Sequence, residues 1–286
     1  MSVRVAVVGN CQAIGVADCL RQLCPDIKVV SHGWGSIAGV ERANALAKDL
    51  QACDLVFSQF TKRADYGDLR TARLRELCPR TLLFPKVIFT GFHPDMIAME
   101  GVYSPLGVSH SGLILTAQLL GVPVGRVADL FNAYVYSVAG YFEEFAKAET
   151  YLLQSAAVTD APLDDALPEW RTRGIFVHVP SHPTVQALSS IAEMLALKAE
   201  LAPRIGGDLP PDRLADSVVW PLYPEIGARL GVEGGLRFKP TGVGAAAIEL
   251  DEMIERSYRA YAGCDQETLR TPRAVELAEA LRAEGI

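Results

Sequence analysis

The chain has 286 residues, half of them apolar, and a formal net charge of −7. That length suits one large domain or two smaller ones. The acidic balance, with no basic stripe or Lys/Arg block, excludes a general nucleic-acid binder, and no run approaches about eighteen apolar residues, so no membrane span is predicted.

Val5-Ala6-Val7-Val8 is a short apolar run that ends abruptly at Gly9-Asn10. Ala13, Ala17, Leu20 and Cys24 then recur at helical spacing. The run reads as a buried strand and the spacing as an amphipathic helix, joined by a tight turn. Ile27–Ser31 is the predicted second strand, Asp54–Ser58 the third and Thr81–Pro85 the fourth, with helices at 40–52 and 68–78 between them. This alternation predicts an α/β fold, a parallel sheet with helices on both faces of the SGNH/flavodoxin-like three-layer kind. No Gly-x-Gly-x-x-Gly follows the first strand and no P-loop occurs, which argues against a nicotinamide dehydrogenase or a P-loop NTPase.

After Pro85 the pattern loosens. A helix is predicted at 112–120, and an aromatic-rich segment over 124–157 reads as helical with a break at Gly140. Residues 158–170 read as an acidic surface loop, and Gly174–Val179 as a further strand. Pro180-Ser181-His182-Pro183-Thr184 opens a strong helix, with Ser181 as its N-cap. Helices follow at 221–230, 247–262 and 272–284. The expected organisation is a single α/β domain: a sheet core over 1–112 and 172–200, a helical insertion over 113–171 and a mainly helical part over 201–286. The first strand starts with no leader-like stretch before it, and the six cysteines form no Cys-x-x-Cys pair and no zinc pattern. Reduced thiols, a cytoplasmic protein and no metal are the expectation.

The turn after the first strand holds the candidate chemistry. Cys11 stands where the helix begins, and the unpaired N–H groups and dipole there favour a thiolate. Gly9 permits a close backbone approach, while Asn10 and Gln12 carry amides that could donate to an oxyanion. The competing reading of Cys11 is a small buried hydrophobe. His182 follows a strand and precedes a helix, as Cys11 does. If both strands share one sheet, the two residues lie at one edge as a Cys–His pair. His93, beside Asp95, is a second candidate base. Gln59 ends the third strand at the same edge, where it could donate to an oxyanion or merely cap the strand. Lys62 and Arg63 are the local phosphate candidates in an acidic chain, against the commoner reading of a solvated loop pair.

Gly9-Asn10-Cys11-Gln12, Phe57-Ser58-Gln59, Phe92-His93-Pro94-Asp95, His110-Ser111 and Ser181-His182-Pro183, in that order, resemble the WcbI-like family of capsular-polysaccharide biosynthesis proteins. The likeness runs through most of the chain, including Trp220-Pro221. The layout is also similar to SGNH hydrolases. Here, however, Asn10-Cys11 replaces their Asp-Ser, and Val179 stands where they carry an Asp before the last His, which argues against plain ester hydrolysis.

The resemblance implies acyl transfer, as by an O-acetyltransferase, from coenzyme A or acetyl-CoA to a sugar or glycan hydroxyl in capsule or exopolysaccharide biosynthesis. It implies Cys11 with His182 or His93 as catalytic residues. It gives Gly9, Asn10, Gln12, Gln59, His110 and Ser111 to the oxyanion and substrate, and Lys62, Arg63 and Lys86 to the coenzyme. Cys11 could carry the acyl group, or a histidine could activate the sugar directly. The alternatives are an SGNH-like ester or thioester hydrolase with a Cys nucleophile and a non-catalytic nucleotide- or sugar-binding protein. Homo-oligomerisation stays open.

Overall fold

A computed structural model describes residues 2–37 and 39–285. In chain order the first half holds β1 (Arg4–Gly9), α1 (Cys11–Leu23), β2 (Lys28–Gly33), α2 (Val40–Leu50), β3 (Leu55–Gln59), α3 (Thr71–Leu77), β4 (Thr81–Phe84), β5 (Met96–Ala98), β6 (Ser109–Ser111), α4 (Gly112–Leu120) and α5 (Ala133–Val138). The second half holds α6 (Glu144–Ala156), α7 (Ala166–Thr172), β7 (Val177–Val179), β8 (His182–Pro183), α8 (Val185–Lys198), α9 (Pro224–Leu230), β9 (Arg237–Phe238), β10 (Ile248–Glu249), α10 (Leu250–Tyr261), α11 (Gln266–Leu269) and α12 (Pro272–Ala283).

The chain divides into two compact units. The first takes residues 1–88, 150–177 and 181–214, and the second 89–149, 178–180 and 215–286. This interleaved division differs from the expected sheet core over 1–112 and 172–200.

The first unit is built on a parallel sheet in the order β2-β1-β3-β4. Strands buried on both faces are near-continuously apolar, and Val5 to Val8 are each fully buried. Successive side chains alternate between faces. Ala6, Val8 and Val56 join Ala43, Ala47 and Leu50 of α2 and Leu74 of α3 in one cluster. Val5 and Val7 therefore point to the other face. α1 packs along α8, so closely that a Cβ at Gly15 would lie 2.4 Å from Leu188 Cδ1. Each buried Val or Leu here contributes roughly 1.5–3 kcal/mol.

Three expectations are corrected. β7 is not part of the four-stranded sheet. Residues 158–170 are not a surface loop throughout: α7 begins at Ala166, and Leu163, Leu167 and Trp170 are buried. Thr184, not Ser181, caps α8, its side chain accepting from Ala187 N–H.

In the second unit, α4 packs on α10 and α12. Its centre is Asp95, whose carboxylate accepts from Ser111 Oγ, from Tyr141 and Tyr223 hydroxyls at 2.6 Å each, and from Leu113 N–H at 2.8 Å. The predicted break at Gly140 is present, with φ of +70° between α5 and α6.

Candidate active site

The turn from β1 to α1 is shaped by three amide side chains. Asn10 is the N-cap of α1, its Oδ1 accepting from Gln12 N–H at 3.0 Å. Gln59, at the end of β3, accepts from Asn10 N–H at 2.8 Å and donates to Gln12 Oε1 at 3.2 Å. Gly9 is required by this contact, because a Cβ there would come within 2.7 Å of Gln59 Oε1.

Gln12 is fully buried. Its Oε1 also accepts from Val87 N–H at 3.0 Å, and its Nε2 donates to Val87 O at 2.7 Å and to Ser181 O at 2.8 Å. Both amide protons are thus committed. The sequence suggested Gln12 as an oxyanion donor, but its side chain instead pins the segments 86–88 and 181–183 to the head of α1.

Cys11, the first residue of α1, is exposed, whereas Cys19, Cys24 and Cys78 are buried. Surrounding protein desolvates the Cys11 thiol and pushes its pKa up, while the N–H groups of Cys11 and Gln12 and the charge of Lys86 pull the other way. The net shift is upward, so the resting group is a thiol that requires a base to become a nucleophile. His182 is half-buried and directly follows Ser181. The two residues expected to pair do not come from one sheet; each stands beside one end of the Gln12–Ser181 hydrogen bond. Gln12, next to Cys11, holds the carbonyl next to His182.

Among the cations, Lys86 is exposed and its charge reaches Cys11. Lys62 is exposed, its Nζ 5.4 Å from the Phe60 ring centroid. Arg63 is held by Asp65 through bonds of 3.1 and 2.7 Å.

The remaining candidates belong to the second unit. His110 is fully buried, with Nδ1 2.8 Å from the Tyr261 hydroxyl and Nε2 3.1 Å from Val102 O. A carbonyl only accepts, so Nε2 carries the proton and Nδ1 accepts from Tyr261. Ser111 donates to Asp95 and caps α4 by accepting from Ile114 N–H. His93 is 1% exposed, and neither ring nitrogen has a hydrogen-bond partner among the described residues. Burial drives its pKa down to about 3, with the Trp220 backbone opposing in part.

The organising role of Asp95 was missed. Its Pro-bounded loop was visible, but partners up to 128 positions away leave no local signal.

Among the described residues no helix is long and apolar enough to cross a membrane, and no group of three His, Cys, Asp or Glu could hold a metal ion. A search of curated proteins gave no match. A solved structure of WcbI, described as a novel polysaccharide biosynthesis enzyme, matches with a TM-score of 0.75 at 17% identity, over 99% of this chain and 99% of that one. Its description concerns native protein without a disulfide bond between CoA and one of its cysteines. At that identity the likeness shows the fold. A family model described as "Polysaccharide biosynthesis enzyme WcbI" matches residues 4–204. The chain belongs to this WcbI family of polysaccharide biosynthesis enzymes.

Proposed function

We propose that the protein is a coenzyme A-dependent acyltransferase that moves an acyl group from a CoA thioester to a sugar hydroxyl. The observation that carries this reading is the exposed Cys11 thiol at the head of α1, with Lys86 acting on it and Gln12 joined to the residue before His182. The solved WcbI is described in terms of a disulfide between CoA and a cysteine, and in this chain Cys11 is the exposed cysteine.

The proposed chemistry has two steps. His182 takes the Cys11 proton, and the thiolate attacks the thioester carbonyl. A carbon–sulfur bond to Cys11 forms, the bond to coenzyme A breaks, and the departing sulfur takes the proton from His182. His182 then takes the proton of the sugar hydroxyl as its oxygen attacks the thioester on Cys11. The ester forms, and the Cys11 sulfur leaves and recovers the proton. Cys11 N–H and the Asn10 amide nitrogen are the donors assigned to the oxyanion, since Gln12 N–H is committed to Asn10. Lys86 favours the thiolate, and Lys62 and Arg63 take the coenzyme phosphates, Arg63 by exchanging Asp65 for the ligand. Gln59 and Gly9 set the turn. His93, His110 and Ser111 receive no step in this scheme.

The test is calorimetric titration of CoA and acetyl-CoA into wild type, Lys62→Ala/Arg63→Ala and Lys86→Ala. Micromolar binding that weakens in the double variant supports the reading, and absence of binding to wild type rejects it.

A further inference from the structure

Within the first unit lies a cleft of about 770 Å³, walled by α1, α7, α8 and the segment 204–210. Its volume is in the range of ligand sites, roughly 300–1,000 Å³. It is distinct from the turn at Cys11. Cys19, which lines it, lies eight residues on, about 12 Å along α1.

The lining favours one chemistry. Gln22, Gln186 and Ser189 offer hydroxyl and amide groups that both donate and accept, while Ser190 is engaged, accepting from Trp170 Nε1 and donating to Gln186 O. Two cations reach the cleft, and both are engaged: Arg173 with Glu169, and Arg204 with Asp26. Asp165, Glu193 and Asp208 also line it and form no ion pair among the described residues. The surplus is negative, which repels phosphates and uronates. Ile205, 65% exposed, and Leu209, 42% exposed, add apolar surface on one wall. Polyols with apolar C–H faces match this mixture, and anions do not.

The cleft is also in line with Cys11. At 3.6 residues per turn, positions i, i+7 and i+11 fall in one row, so Cys11, Asp18 and Gln22 share a face of α1. Gln22 is about 16 Å along the helix from Cys11.

We propose that this cleft binds the outer units of a neutral or amino-sugar oligosaccharide whose reacting unit lies at Cys11. The proposal rests on the acyltransferase reading for the identity of the reacting unit, but not for binding in the cleft.

The experiment is hydrogen-exchange mass spectrometry on the full chain with three probes: N-acetylglucosamine tetramer, glucosamine tetramer and galacturonic acid tetramer, each with affinity measured by calorimetry. Slowed exchange over 185–198 and 204–210 with the first two, and none with the third, is the expected result. Glu193→Lys/Asp208→Lys should weaken the glucosamine tetramer by roughly tenfold or more and admit the galacturonic acid tetramer. Gln186→Trp, on an exposed position of α8, should block the first two probes without unfolding the chain. If neither neutral nor amino tetramer protects these segments, or if charge reversal leaves the preference unchanged, the proposal is overturned. CoA binding is titrated on the same samples. Its loss with the sugar footprint intact would reject the acyltransferase reading and leave the cleft assignment standing.

Discussion

The Gln12 Nε2 amide donates to Ser181 O at 2.8 Å across 169 positions of sequence. This bond, with the Val87 pair on the same side chain, fixes the head of α1 to the chain that carries His182. Gln12→Ala would leave the Val87 N–H and two carbonyls without their partner in a buried site. An unsatisfied buried group costs about 1–3 kcal/mol, and the partners relax in part, so a loss of about 3 kcal/mol is expected in chemical denaturation. Unchanged stability would show that the bridge contributes nothing.

Gly9 and Gln59 are coupled by contact. The Cβ of Gly9→Ala meets Gln59 Oε1 at 2.7 Å and Ala13 Cβ at 3.1 Å. Overpacking of this sort costs typically about 1–3 kcal/mol. In a Gln59→Ala background most of that cost should vanish, giving a coupling of about 1 kcal/mol or more in a double-mutant cycle. Additive effects would place the strain elsewhere.

Cys11 alkylation by iodoacetamide should rise with pH beyond the range of an ordinary cysteine, because burial raises its pKa. Lys86 opposes that shift. Lys86→Ala should therefore slow alkylation at pH 8, while Lys62→Ala leaves it alone. An unchanged rate in Lys86→Ala would detach Lys86 from the thiol.

His93 predicts a pH-dependent stability. Its folded pKa is about 3 against an ordinary value of 6.5. Below pH 6.5 the unfolded chain binds a proton that the native imidazole refuses, so stability falls with pH from 6.5 towards 3. Between pH 7 and pH 5 the loss is about 2 kcal/mol. His93→Gln should flatten this slope in urea titrations at the two pH values. A slope equal to wild type would contradict it.

The sheet was legible where residue chemistry acts locally. Four apolar strands interrupted by amphipathic helices fix the order of elements, and Gly9-Asn10 marks the turn because Asn10 caps and Gly9 yields space. α7 was not legible, because Asp164, Asp165 and Glu169 mask a buried face formed by Leu163, Leu167 and Trp170. The expected pairing of His182 with Cys11 rested on a shared sheet. β7 is outside the four-stranded sheet, and the link is a buried glutamine whose type signals nothing by itself. His110 and Ser111 drew notice as polar residues in a motif. Their partners, Tyr261 and Asp95, are tertiary and explain them as packing groups.

The central claim is that Cys11 carries the acyl group. Wild-type protein incubated with acetyl-CoA without a sugar, quenched in acid and weighed intact, should hold one acetyl group on the peptide containing Cys11. Cys11→Ala should hold none, and His182→Ala should acquire it far more slowly. Wild type that binds acetyl-CoA yet never acquires the group, or Cys11→Ala that transfers acetyl at the wild-type rate, would contradict the account.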